Sequence, residues 1–186
     1  MDLEKVLKTR RSLRALEQVS VSVSDVEEMV RAASLAPSCF NNQPWRFVFV
    51  RDQARLEALK QVFSKGNEWA HHASLVIAVC ARKKDDCVVK GREYYLFDTG
   101  MATALLMLKA TELGLVAHAI AGFKTDLVRE ILEIPQDQML VTLLICGQRA
   151  KNPEDLLNAS QLVSERERPE RHPLKKIMLL ERYSEE

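Results

Sequence analysis

The sequence predicts a three-layer domain of class α/β or α+β, with helices packed around a small sheet buried on both faces. Three observations lead there. Residues 74–81 (SLVIAVCA) and 139–147 (MLVTLLICG) are unbroken apolar runs of strand length, the pattern of strands covered on both sides. Segments with helical spacing of apolar residues alternate with these runs. The chain has 186 residues, 47% of them hydrophobic and 28% charged, which suits one globular domain of ordinary size.

The elements follow in order. Residues 2–9 carry Leu3, Val6 and Leu7 at helical spacing, a short amphipathic helix that stops before Arg10-Arg11-Ser12. In VSVSDVEEMVRAASLA a helix starts at Ser22 or Ser24, with Glu27 three residues after Ser24 as a capping box. Residues 46–50 (RFVFV) form a strand, and residues 53–63 a helix with Leu56, Leu59 and Val62 on one face. Residues 92–113 form the longest helix. It is apolar nearly all round from Ala102 to Leu108 and is stopped by Gly114. A helix of that kind has to be enclosed, and a domain of this size has little room to enclose it, so a dimer is expected. Residues 116–123 (VAHAIAGF) are a third strand closed by Gly122, and TDLVREILEI is a helix before Pro135. After the last strand the chain turns charged and proline-bearing. Residues from about 150 to 186 read as an extended arm that wraps a partner subunit, within a single domain of residues 1–186.

Composition excludes several classes. A net charge of +1 advertises no nucleic-acid or membrane partner, and no apolar run approaches the roughly 20 residues that span a bilayer. The N-terminus lacks the apolar core of a signal peptide, so a cytoplasmic protein is expected. Cys39, Cys80, Cys87 and Cys146 show no metal-ligand spacing, and no metal site is expected. Cys80 and Cys146 sit in strand runs, where a thiol is a small buried hydrophobe. No triad or pair of catalytic carboxylates is evident.

Three clusters carry polar chemistry. Arg10-Arg11-Ser12 offers two guanidiniums and a hydroxyl to a phosphate or carboxylate, or simply finishes a helix. Residues 37–45 (PSCFNNQPW) supply amides and hydroxyls that suit either a turn or the mixed donor and acceptor edge of a heterocycle. Residues 171–176 (RHPLKK) form a basic knot in the arm. His118, within a strand, reads as a satisfied core histidine. His71 and His72 read as lying on a solvated helix end.

Together these blocks resemble the FMN-dependent nitroreductase family. TRRSLRAL is similar to that family's N-terminal RRSxRxF pattern, with Leu16 in place of the usual Phe. APSCFNNQPWRFVFV resembles its APSxxNxQPWxFxVV signature, FDTGMATALLMLKATELGL its long central helix, and RHPLKKIMLLERY its C-terminal ending. The four blocks keep their order and cover nearly the whole chain.

The resemblance implies an α+β, three-layer α/β/α fold with a mixed central sheet. It also implies a homodimer with exchanged C-terminal arms and FMN held at the subunit interface. It implies an NAD(P)H-dependent FMN oxidoreductase that reduces nitroaromatic, quinone or similar small electron-poor acceptors by a ping-pong route. The chemistry would occur at flavin N5, with no catalytic side chain. Carried onto this chain, Arg10, Arg11, Ser12 and Arg171 would meet the FMN phosphate and pyrimidine side. Pro37, Ser38, Cys39, Asn41 and Gln43 would line the flavin, with Asn41 reaching the neighbouring subunit's cofactor. Asn67 would approach the flavin O2, and Ala121 and Gly122 the N5 edge; Ala121 stands where some members carry Glu. The alternatives are a flavin reductase, a reductive dehalogenase, or an FMN-binding protein without turnover. Residues 82–92 are too short for the helical lid of the specialised members.

Overall fold

The computed structural model describes residues 2–184. Helix α1 (Leu3–Thr9) is capped by the Asp2 carboxylate, which accepts from the Lys5 N–H at 2.8 Å. Strand β1 (Leu16–Glu17) follows, then α2 (Val23–Ser34). The α2 cap is Ser22, and its reciprocal partner is Asp25 rather than Glu27. Strand β2 (Trp45–Val50) leads to α3 (Gln53–Leu59), which tightens into a 3-10 turn at Lys60–Val62. A second 3-10 turn at Glu68–His72 holds both neighbouring histidines. His71 there is half-buried against Phe63 with its Nε2 3.1 Å from the Lys60 carbonyl, not on a solvated end. Next come β3 (Leu75–Ala81), the short hairpin β4 (Val88–Val89) and β5 (Arg92–Glu93), and the long helix α4 (Tyr94–Glu112). The chain closes with β6 (Val116–Ile120), α5 (Thr125–Leu132), β7 (Met139–Arg149) and α6 (Ala159–Arg166).

Strand β7 is the hub of the main sheet: it pairs with β1, β3 and β6, and β3 pairs with β2. Every one of these pairings is antiparallel, so the mixed character implied for the sheet is absent among the described residues. Burial on both faces is as expected. Along β3, Leu75, Ile77 and Val79 pack into one core with Met29 and Ala33 of α2 and Ala102 and Leu106 of α4. Val76, Ala78 and Cys80 face the other way, into a second core with Leu56 and Leu59 of α3 and Val128 of α5. Successive side chains alternate across a strand, so one apolar run serves two cores. The result is helix, sheet, helix.

Two segments depart from the expected pattern. Helix α4 buries Ala102, Thr103 and Leu106, but Ala104 is exposed and Leu105, Met107 and Leu108 are only half-covered. The region after β7 is not wholly an arm. Ala150 N–H donates to the Ala15 carbonyl at 2.9 Å, Leu157 enters the core, and α6 seats Glu165 fully buried on the chain's own body. The extended, exposed portion begins at Glu167. No helix among the described residues is long and apolar enough to cross a membrane.

Candidate functional site

The chain leaves α1 at Arg10, which caps the end of that helix. Arg10, Arg11, Ser12 and Arg171 line one cavity of about 210 Å³, joined there by Arg14, Arg168 and His118. Arg10 Nη1 donates to Ser12 Oγ at 3.4 Å. Arg168 fastens the start of the arm to the end of α1, donating to the carbonyls of Lys8 and Arg10 at 2.6 and 2.8 Å. Arg11 spends its donors differently. They go to the carbonyls of Ser164, Glu165 and Glu167 at 3.1, 3.0 and 2.8 Å, which caps the end of α6. Buried Glu165 in turn accepts the N–H groups of Arg14 and Ala15 at 2.9 and 3.3 Å. Helix α6 and the segment after α1 therefore hold each other in place.

The electrostatics of this cavity are one-sided. Among the described residues no carboxylate forms an ion pair with Arg10, Arg168 or Arg171. Burial, and then the neighbouring charges of Arg168 and Arg171, push the Arg10 pKa below its ordinary value. Guanidiniums gathered without a counter-ion repel one another, and a multiply charged anion such as a phosphate relieves that repulsion while matching their fork geometry.

His118 forms a wall of the cavity. Its Nδ1–H donates to the Leu13 carbonyl at 3.0 Å, and its ring stacks on Trp69 at 4.7 Å. Burial, opposed by the bond to Leu13 and reinforced by Arg14 and Arg10, lowers its pKa. It is a satisfied core histidine, as its strand context suggests. Trp69 Nε1 then donates to Asn67 Oδ1 at 3.3 Å, and Asn67 Nδ2 donates to the Gly122 carbonyl at 3.0 Å. Asn67 and Gly122, far apart in sequence, are thus in contact. A Cβ at Gly122 would lie 2.7 Å from Asn67 Nδ2, so glycine is what lets the amide approach. Ala121 beside it is exposed.

The loop between α2 and β2 is a separate group; no residue of 37–43 lines the arginine cavity. Its backbone is unusual. Phe40, Asn41 and Gln43 have φ of 48°, 60° and 49°, in the left-handed region that L-residues avoid. Such positions cost on the order of 1–3 kcal/mol each, least at Asn. What holds them is local. Ser38 Oγ accepts the Gln43 N–H at 3.0 Å, and Gln43 Nε2 donates to the Asn41 carbonyl at 3.1 Å. Asp98, buried on α4, accepts the Cys39 N–H at 2.7 Å. Cys39 itself is bonded to Cys87, so it enters no site as a thiol. Asn41 and Gln43 are exposed, as is Phe40 at 90%. The two strand cysteines are buried as expected, and burial raises Cys80 to about 11 and Cys146 to about 12.

Sequence reasoning missed Arg168, Asp98 and the Cys39–Cys87 bond. Arg168 sits in a run of arm charges (RERPER) that gives no reason to prefer one arginine. Asp98 did carry a signal, since an acid in an otherwise apolar helix needs a partner. The disulfide joins residues 48 apart and has no local trace.

Comparison with known proteins agrees with this architecture. The sequence profile described as "Nitroreductase family" matches residues 7–70 and 64–148. An Archaeoglobus fulgidus protein, provisionally named NADH dehydrogenase/NAD(P)H nitroreductase, is 31% identical over 147 residues, covering 77% of this chain and 83% of that protein. An iodotyrosine deiodinase from Haliscomenobacter hydrossis is 28% identical over 170 residues, covering 76% of this chain and 77% of its own. A crystal structure described as an oxidoreductase containing FMN superposes with a TM-score of 0.83 at 27% identity, over 100% of this chain and 95% of the other. With its fold, its signature loop and a match across most of its length, the chain belongs to the nitroreductase family.

Proposed function

We propose that this chain is an NAD(P)H-dependent FMN oxidoreductase that reduces nitroaromatic, quinone or similar electron-poor acceptors, with reductant and acceptor using one pocket in turn. The observation that carries the proposal is the un-neutralised arginine cluster. Arg10, Arg168 and Arg171 surround a cavity with no acid to offset them, which fits the FMN phosphate. Bound FMN supplies the hydride chemistry at its N5, which is why no protein nucleophile or base is needed. The chain's own part is to bind and orient. Arg10, Ser12 and Arg171 hold the phosphate, and Arg168 pins the arm that brings Arg171 in. Asn67 and Gly122 form a narrow edge connected to that cavity through Trp69 and His118, placed to meet the polar rim of the ring. Arg11 acts indirectly, by fixing α6.

A site shared between two copies explains why the loop at residues 37–43 stands apart from the arginine cavity. In a homodimer the loop of one copy would face the cofactor held by the other. Two features support this. Leu3, Leu35, Phe97 and half-covered Leu105 and Leu108 leave an apolar surface on α1, α2 and α4. The arm exposes Leu174, Ile177, Met178 and Leu180. Contiguous exposed apolar surface marks an interface. We place the protein in the cytoplasm, where NAD(P)H is supplied.

A dehalogenase reading has the deiodinase relative in its favour, but between β3 and α4 the chain forms only a 3-10 turn and the short β4–β5 hairpin rather than a helical lid. Titration of FMN into the purified chain, followed by anaerobic addition of NADH or NADPH, tests the proposal. Flavin uptake with bleaching supports it. Uptake without bleaching leaves a binding protein without turnover, and no uptake removes it.

A further inference from the structure

Cys39 and Cys87 tie the strained loop to the segment entering β4, with their Cα atoms 6.0 Å apart. The bond sits in an acidic setting. An Asp86 carboxylate oxygen and both sulfurs lie within 4.8 Å of one another. Asn42 Nδ2 donates to Asp86 Oδ1 at 3.2 Å and lies 3.6 Å from Cys87 Sγ. The other Asp86 oxygen is buried with no partner among the described residues. Asp98, which holds the Cys39 N–H, is almost fully buried beside it, and burial together with Asp86 raises its pKa. Both cysteines are half-buried rather than sealed, so a reductant can reach them. Disulfides in reducing compartments are usually transient and redox-sensing.

We propose that Cys39–Cys87 is a thiol–disulfide exchange site that controls how well the loop at residues 38–43 binds the cofactor. The inference rests on the flavin reading above. The substrate is a dithiol. One of its thiols gives up its proton and attacks a sulfur of the pair as a thiolate, forming a mixed disulfide and expelling the other cysteine as a thiolate, which takes up that proton. The second thiol of the reductant then loses its proton, attacks the reductant's own sulfur in the mixed disulfide and expels the remaining cysteine, which takes up the released proton. The dithiol is oxidised to its disulfide, the protein pair is reduced to two thiols, and two electrons and two protons have moved. Oxidised, the bond closes one end of a loop that carries three left-handed non-glycine residues. Reduced, that end is held only by the Asp98 contact and the loop's own hydrogen bonds. The loop then samples relaxed conformations that the cofactor has to reselect.

The test uses the full chain oxidised, and reduced by dithiothreitol and desalted under argon. Denatured oxidised protein should show two free thiols and reduced protein four. FMN affinity should fall about tenfold on reduction, which is ~1.4 kcal/mol. Hydrogen exchange of the apo chain should speed up at residues 38–43 on reduction and stay unchanged in β3. The Cys39→Ser/Cys87→Ser variant should behave like the reduced chain and ignore dithiothreitol. Four free thiols in the oxidised chain, or equal loop exchange in both states, would overturn the inference. FMN binding to neither state would instead remove the flavin reading, and the apo exchange comparison would still decide the switch.

Discussion

The Asn67 side-chain amide donates to the Gly122 carbonyl at 3.0 Å, and that approach is possible only because Gly122 has no Cβ. The contact links two positions more than fifty residues apart and continues through Trp69 and His118 to the arginine cavity. It joins Asn67 and Gly122 to a wall of that cavity through a chain of buried contacts.

Gly122→Ala is therefore expected to displace the Asn67 amide rather than merely add a methyl group. Asn67→Ala should leave the buried Trp69 N–H without its acceptor, at a cost of about 1–3 kcal/mol. Both variants should melt at a lower temperature than the parent and bind FMN more weakly. An unchanged FMN dissociation constant in both would separate this edge from the cofactor.

The arginines are expected to show opposite effects on stability and binding. Each charge-assisted hydrogen bond lost is worth about 1.5–3 kcal/mol, so Arg10→Ala and Arg171→Ala should each weaken FMN binding by roughly ten- to a hundredfold. Removing one member of a self-repelling cluster should also raise the melting temperature of the apo form. Arg82 pairs with Asp85 and Asp137 away from the cavity. Arg82→Ala should cost some stability but leave FMN affinity intact. A lowered apo melting point in Arg10→Ala with unchanged affinity would mean that Arg10 only finishes α1.

Much of this was legible in sequence, for identifiable reasons. The β3 and β7 runs announced a doubly covered sheet because alternation cannot hide polar residues in a strand with two buried faces. What such runs cannot report is strand direction, and the sheet proved antiparallel throughout its described pairings. The Ser22 cap was one of two candidates, because Ser22 and Ser24 both precede an acid by three residues and only the chain path chooses Asp25. Helix α6 was hidden by its charge: its hold on the body comes from Glu165 and Arg11 together with Leu162, rather than from a continuous apolar stripe. The loop's residues pointed to a site, yet its left-handed backbone and the bond to Cys87 depend on contacts with α4 and the β4 segment.

His118 gives the stability a pH dependence of known sign. Its folded pKa lies below the ordinary value of 6.5, so the folded chain resists taking up a proton that the unfolded chain accepts. Its contribution is complete above about pH 6.5 and is lost as pH falls from there toward the lowered folded value. Chemical denaturation of the parent between pH 8 and 5 should show this loss, and His118→Gln should flatten it. A parent curve that does not differ from the variant's would show that another group dominates.

Truncation separates the arm from α6. A chain ending after Glu167 keeps Glu165 and the carbonyls that Arg11 caps, but loses Arg168 and Arg171. It should fold, run as a monomer in sedimentation, and take up no FMN at micromolar concentration. A truncated chain that remains a flavin-loaded dimer would remove the arm from both roles.

In the proposed function the arginine cavity holds the phosphate of a flavin that NAD(P)H reduces. The most direct measurement is an anaerobic absorbance titration of the FMN-reconstituted chain with NADH and, separately, NADPH, run beside Arg10→Ala. About one flavin per subunit is expected, with bleaching by at least one of the two nucleotides and colour restored by a quinone. Flavin should be lost on desalting the variant. Failure of the parent to retain FMN, or equal retention by the variant, would contradict phosphate binding in the arginine cavity.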